Sequence, residues 1–256
     1  MLNLSRRGTL GLAVLALAQG AGTLAAADEL VILSGGAVKS GIVATIAEFE
    51  KSSGHKVAAE FAPMGGLTRK LADGATPDVV VVTVEVMDDL LKKGWVVPGT
   101  ITEIGRVGVG IAVNEKALSP DISTPEAFKA TLLAAKSIVM IDPATGTSGK
   151  HLADVFAKLG ITDAIRARTT YLQGGYVVER VGTGEIELGL HQITEILPVK
   201  GIKLVGPLPA DLQKITIYSG AVSTKSKSPD AAKAFLAHMQ SSAVRASLGR
   251  MGFMSP

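Results

Sequence analysis

The chain contains no cysteine. That excludes disulfides, zinc–thiolate sites and cysteine nucleophiles, so a hydrophobic core must hold the fold. A strong charge of either sign is also lacking. The formal net charge is +3, and two of the positive residues, Arg6 and Arg7, sit at the extreme N-terminus. Nucleic-acid binding, which needs a clustered basic face, is disfavoured. Beyond residue 27 no apolar run reaches the roughly 18 residues that a membrane span requires, so the remainder reads as soluble rather than integral to a membrane. There is no G-x-S-x-G elbow, no His–carboxylate set with metal-ligand spacing, and no internal repeat. The segment 145–150 (TGTSGK) fails as a phosphate loop, because too few residues separate Gly146 from Gly149 and His151 follows the lysine. No metal and no cofactor are expected.

What is present divides into a leader and a long α/β pattern. Residues 1–27 combine a basic start, a short apolar stretch and small residues at 24–27, a secretory signal cleaved after Ala27. The stretch 5–10 (SRRGTL) has a twin-arginine look. The mature protein is therefore expected in the periplasm. From residue 30 onward, β-rich apolar runs alternate with helical patterns, which favours α/β with mostly parallel sheets covered on both faces. The first unit sets the theme: an apolar run at 30–33, a Ser-Gly-Gly break at 34–36, and then a stripe of helical period through Val38, Ile42, Ile46 and Phe49. Val79-Val80-Val81-Val82 suits a strand buried on both faces. Thr124 before Pro125 marks a helix start, Ser228 before Pro229 another, and Ser241-Ser242 the last. Glycine-bearing strands at 105–113 and 215–219 bound an interior block. The domain reading is thus a signal at 1–27, a first lobe at 28–105, a second at 106–222, and a return to the first at 223–256, with a two-strand hinge and a cleft between lobes.

Four strand-to-helix turns carry glycine: 34–38, 65–68, 147–150 and 174–177. The first amides of a helix have no partner inside it and lie at the positive end of its dipole. Glycine lets that backbone approach a negatively charged guest. Ser34, Gly35, Gly36, Ala37, Met64, Gly65, Gly66, Thr147, Ser148, Gly149, Gly174, Gly175 and Tyr176 are the candidate ligand contacts from these turns. Lys39 is a candidate carboxylate partner, and Arg69 and Lys70 follow the second turn. His191 and Gln192 end an apparent strand and are further candidates. His191 could take and return a proton alpha to a carboxylate, with Glu195 as the other candidate base. His55 and His238 read as surface residues, and His151 lies one turn into the helix after the third glycine turn.

These residues resemble the type 2 periplasmic solute-binding proteins, and within them the molybdate-binding group. The opening strand–turn–helix, the stretches 61–71 and 77–80, and the 182–189 segment (GTGEIELG) carry the likeness. The resemblance implies two α/β lobes with the ligand between them, a monomer, and an ABC-type permease as partner. Departures point away from molybdate: the first turn has alanine where that group has a ligating serine, the second has no hydroxyl, and His191-Gln192 stand where a tyrosine is expected. Losing hydroxyl donors suggests a guest larger than a tetrahedral oxyanion. The run 190–199 (LHQITEILPV), the 205–209 segment (VGPLP) and the 131–137 run (TLLAAKS) resemble the aconitate isomerases built on this scaffold. That implies an organic di- or tricarboxylate as guest. Three readings follow: a receptor for a small organic anion, an isomerase moving an allylic proton between cis- and trans-aconitate, and an oxyanion binder.

Overall fold

Short apolar runs, several of them buried along nearly their whole length, build two separate sheets. A computed structural model describes residues 29–254. The signal expected at 1–27 lies outside the described residues. In chain order the first part forms β1 (Glu29–Gly35), a 3-10 turn (Gly36–Val38), α1 (Lys39–Ser53), β2 (Lys56–Ala62), α2 (Met64–Ala72), β3 (Val79–Thr83), α3 (Val84–Lys92) and β4 (Thr102–Val107). The middle forms β5 (Val109–Asn114), α4 (Pro125–Ala134), β6 (Ile138–Ile141), α5 (Thr147–Leu159), α6 (Thr162–Arg166), β7 (Thr169–Leu172), α7 (Glu179–Gly182), β8 (Leu188–Gln192), α8 (Ile193–Ile196) and β9 (Ile202–Pro207). The chain then returns through β10 (Thr216–Val222), α9 (Pro229–Met239) and α10 (Ser242–Arg250).

The first sheet has the order β2-β1-β3-β10-β4 and the second β7-β6-β8-β5-β9. In each, four strands run in one direction and a single strand, β10 in the first sheet and β5 in the second, runs against them, so the lobes repeat one design. Both sheets are covered on two faces. In β3, Val79 and Val81 face a core with Phe49 of α1 and Phe235 of α9, while Val80 and Val82 face one with Leu67 of α2 and Leu90 of α3. Period-two side-chain alternation makes a continuous valine run serve both cores. The second lobe packs Phe128, Leu152 and Phe156 on one face of its sheet, and Val177, Val181 and Ile196 on the other. This is the two-lobe architecture that the resemblance implied.

The apolar stretch 105–113, read as one strand, is two. β4 ends at Val107 in the first sheet and β5 starts at Val109 in the second, with Gly108 as the crossing. Likewise β10 pairs with β3 and β4. Arg106, Val107 and residues 216–222 thus belong to the first sheet, and the block read at 106–222 is shorter at both ends. The two crossings are tied: Gln213 accepts from Val109 N–H at 3.0 Å and donates to Val109 C=O at 2.7 Å.

Several local expectations are met by named bonds. Thr124 Oγ1 caps α4 by accepting from Ala127 N–H, and Ser241 does the same for α10 through Val244 N–H. Ser228 precedes α9 without a side-chain cap; its own N–H donates to Asp78 at 3.1 Å. Asp78 also accepts from Val31 N–H, Lys227 N–H and Ser226 Oγ, each at 2.8 Å. Burial alone would raise its pKa, but these bonds outweigh that and hold it below the usual carboxylate range. His55 and His238 are half-buried rather than on the surface, with rings 6.4 and 5.6 Å from that of Phe49.

Candidate functional site

The carboxyl ends of the parallel strands of both sheets face one gap, the usual place for a ligand in open α/β sheets. A cavity of about 110 Å³ lies there. From the first lobe it takes Gly36, Ala37 and Lys39 after β1, Phe61 to Met64 at the end of β2, and Tyr218 of β10. From the second it takes Ile141, Gly146, Thr147 and Ser148 after β6, Gly175 and Tyr176 after β7, and His191, Gln192 and Glu195 at the end of β8.

The lobes meet around this space. Thr194 Oγ1 donates to Ala37 C=O at 2.6 Å, and Gly65 N–H donates to Thr145 C=O at 3.2 Å. Lys39 Nζ lies 5.8 Å from the Phe61 ring centre and 5.0 Å from that of Tyr176, within cation–π range of one ring from each lobe. A second, adjoining cleft shares Met64, Gly146 and Thr147 and is lined by Glu85, Lys150, His151, Asp154 and Lys214.

Backbone donors border the cavity. The 3-10 turn at Gly36, α2 at Met64 and α5 at Thr147 all start without a side-chain cap, whereas α3, α4 and α10 are capped by Thr83, Thr124 and Ser241. The first intrahelical bond of α5 is Lys150 N–H to Gly146 C=O, so the amides of Thr147, Ser148 and Gly149 come before it. α5 reaches this position because Gly149 has no side chain: a Cβ there would lie 2.3 Å from Ile141 O.

Glu195 and His191 form the chemical centre. His191 is 1% exposed and Glu195 7%. His191 Nδ1 is 3.2 Å from Ser148 Oγ, and Nε2 is 3.3 Å from Gly175 C=O and 3.4 Å from Glu195 Oε2. Since a carbonyl only accepts, Nε2 carries the proton and Nδ1 accepts from the Ser148 hydroxyl. Gly175 adopts φ 79°, a left-handed conformation that glycine takes without strain, and this presents its carbonyl. Burial pushes the imidazole down to about 4, against a weaker upward pull from Gly175. Burial pushes the Glu195 carboxyl up to about 8, moderated by the Lys39 charge. Near neutral pH the pair therefore holds a neutral imidazole beside an un-ionised acid. Gly36 makes room for that acid, since a Cβ there would sit 2.8 Å from Glu195 Oε1. The phenols of Tyr218 and Tyr176 are both raised, first by burial and then by Glu195, and stay neutral donors.

Of the residues singled out from sequence, Gly36, Ala37, Lys39, Met64, Thr147, Ser148, Gly175, Tyr176, His191, Gln192 and Glu195 converge on the cavity. Ser34, Gly35, Gly65, Gly66, Gly149 and Gly174 are not among its lining residues. Ser34 is buried and donates to Gly35 C=O. A Cβ on Gly35 would meet Met64 and Tyr218, and one on Gly174 would meet Pro63. The Gly65 amide, expected to face the ligand, is taken by Thr145. Arg69 and Lys70 are exposed, with Lys70 paired to Glu60 at 2.5 Å. His151 lines the adjoining cleft, its Nε2 2.8 Å from Leu212 C=O. Sequence reading missed Phe61 and Tyr218, whose only signal was an aromatic at a strand position.

The pattern of the bacterial extracellular solute-binding protein family matches residues 30–254. An aconitate isomerase from Pseudomonas sp is 33% identical over 217 residues, covering 83% of this chain and 82% of that protein. The molybdate-binding protein ModA of Azotobacter vinelandii is 27% identical over 240 residues, covering 88% and 91%. Among solved structures, the periplasmic molybdate-binding protein of Azotobacter vinelandii superposes with a TM-score of 0.75 at 16% identity, covering 89% of this chain and 99% of that one. The substrate-binding domain of a molybdenum ABC transporter from Clostridium difficile gives 0.68 at 19% identity, covering 90% and 100%. Since the match runs through both lobes and both crossings, the chain belongs to the bacterial extracellular solute-binding protein family.

Proposed function

We propose that this protein binds a small organic polycarboxylate between its lobes and moves a proton along it, as in the interconversion of cis- and trans-aconitate. The observation that carries this reading is the buried Glu195 carboxyl, 3.4 Å from His191 Nε2, in an otherwise anion-suited cavity. A receptor gains little from burying an acid there, because its ionised form would repel the guest. An isomerase needs such a group, with a pKa near working pH. Ionised Glu195 takes a proton from the substrate carbon between a carboxylate and the double bond. The electrons of that C–H bond form the new double bond as the old π pair moves to the far carbon. The resulting carboxylic acid returns the proton to that far carbon. Lys39 and the first amides of α5 face the charge that develops on the substrate. His191, with both ring nitrogens engaged, positions Glu195.

The relationship to an aconitate isomerase supports the substrate class. The second reading is a periplasmic receptor that closes on an organic anion and delivers it to an ABC-type permease; the lobe contacts at Thr194 and Gly65 favour it. Proton NMR of purified protein with trans-aconitate separates the two. Appearance of cis-aconitate, with Glu195→Gln slowing it about 10²–10⁴-fold while still binding, supports the isomerase. Tight binding without conversion supports the receptor, and stabilisation by molybdate alone would restore the oxyanion reading.

A further inference from the structure

Gln192 ends β8 among the cavity-lining residues and is 2% exposed, yet neither its Nε2 nor its Oε1 makes a hydrogen bond of good geometry among the described residues. The Tyr218 phenol, its pKa raised mainly by burial, lies close enough for the amide to pull that pKa down slightly. A buried amide in that state is costly unless a water or a ligand completes its bonds. The deficit is local, because the preceding His191 has a partner at each ring nitrogen. An amide presents a donor and an acceptor side by side. A carboxylate accepts at both oxygens and would face Oε1 with like charge, whereas an un-ionised carboxyl or a carboxamide matches the amide at both points.

Charge in the cavity agrees. Among the described lining residues Lys39 has the only positive charge; His191 is neutral, and Glu195, Tyr176 and Tyr218 hold their protons. In the adjoining cleft Lys150 and Lys214 are offset by Glu85 and Asp154, with His151 pushed toward its neutral form, first by burial. A fully ionised tricarboxylate would exceed this supply of positive charge.

We propose that Gln192 is the specificity-determining residue of the cavity: it pairs with one un-ionised carboxyl of the organic acid, which binds one proton short of full ionisation. This rests on the reading that the guest is an organic polycarboxylate. A free carboxyl of ordinary pKa near 4 is ionised at pH 7, so binding must take up a proton.

The test uses tricarballylate, a saturated tricarboxylate with no allylic proton to move, titrated calorimetrically at pH 7 in phosphate and in Tris. The difference between buffers, which differ in ionisation enthalpy, is expected to report about one proton taken up per bound ligand. Gln192→Met keeps the side chain's length and removes its polar atoms. It is expected to weaken binding about ten- to hundredfold and abolish the proton uptake, while raising the melting temperature of the unliganded protein. A purely structural glutamine would not give lower affinity together with higher stability. Absence of a buffer difference in the wild-type protein, which needs no variant, overturns the inference, as does a Gln192→Met protein with unchanged affinity. If trans-aconitate is converted in either case, the polycarboxylate reading survives and only the role of Gln192 falls. If neither tricarballylate nor trans-aconitate binds, both fall.

Discussion

Glu195 and His191 show how burial decides chemistry at a single residue. A carboxyl raised from 4.5 to about 8 keeps in the folded protein a proton that the unfolded chain has released. Folding therefore loses stability as pH rises from 4.5 to about 8. His191, depressed from 6.5 to about 4, acts the other way and loses stability as pH falls through that interval. The slopes oppose one another between 4.5 and 6.5, and above 6.5 only that of Glu195 remains. The melting temperature of the wild-type protein should thus fall from pH 6.5 to 8, while that of Glu195→Gln stays level by comparison; a gap that does not widen with pH contradicts the assignment. Removing the Lys39 charge, which lowers the Glu195 pKa, should move the pH midpoint of turnover upward in Lys39→Met, as read from the pH–rate profile. The residue types were legible beforehand, because a histidine and an acid four positions apart stand out. Their contact was not, since it depends on the chain turning at Gln192 between β8 and α8.

At the scale of elements, α5 illustrates close packing against backbone. Gly149→Ala would drive a Cβ toward Ile141 O and Asp142 C, which no rotamer change can relieve. A loss of about 1–3 kcal/mol in urea unfolding is expected, along with weaker ligand binding as Ser148 shifts from His191. Thr124→Ala is the control: it should cost about 1 kcal/mol through the lost cap of α4 and leave binding unchanged, because Thr124 is exposed and not among the cavity-lining residues. Elements with a cap or a buried β-branched run were readable from sequence. The edge strand β7 was not, because its residues are only partly buried and show no clear alternation. The break at Gly108 was invisible for another reason: apolar residues run on from Val107 to Val109 without a turn signal, and changing sheets leaves no mark on hydropathy.

For the whole molecule, the question is what keeps the lobes together without a ligand. The Thr194 bond to Ala37 joins α8 of one lobe to the 3-10 turn of the other. Thr194→Val preserves the shape but leaves the Ala37 carbonyl without that donor, a penalty of about 1–3 kcal/mol in the closed form. Small-angle X-ray scattering should then show a larger radius of gyration without ligand, and affinity should fall roughly tenfold or more. An unchanged scattering curve would mean that closure does not depend on this bond.

From sequence alone came the α/β alternation, the glycine turns ahead of helices and the loss of hydroxyl donors, because hydropathy period, turn chemistry and residue type are local properties. Tertiary structure alone decided which turns share a cavity, which amides are already taken, as Gly65's is, whether the helix starts at those turns are capped, and which buried polar groups lack a hydrogen bond of good geometry, as Gln192 does. Those outcomes depend on how two sheets face each other across two crossings. They also set the dielectric that holds Glu195 un-ionised, and no local pattern encodes that.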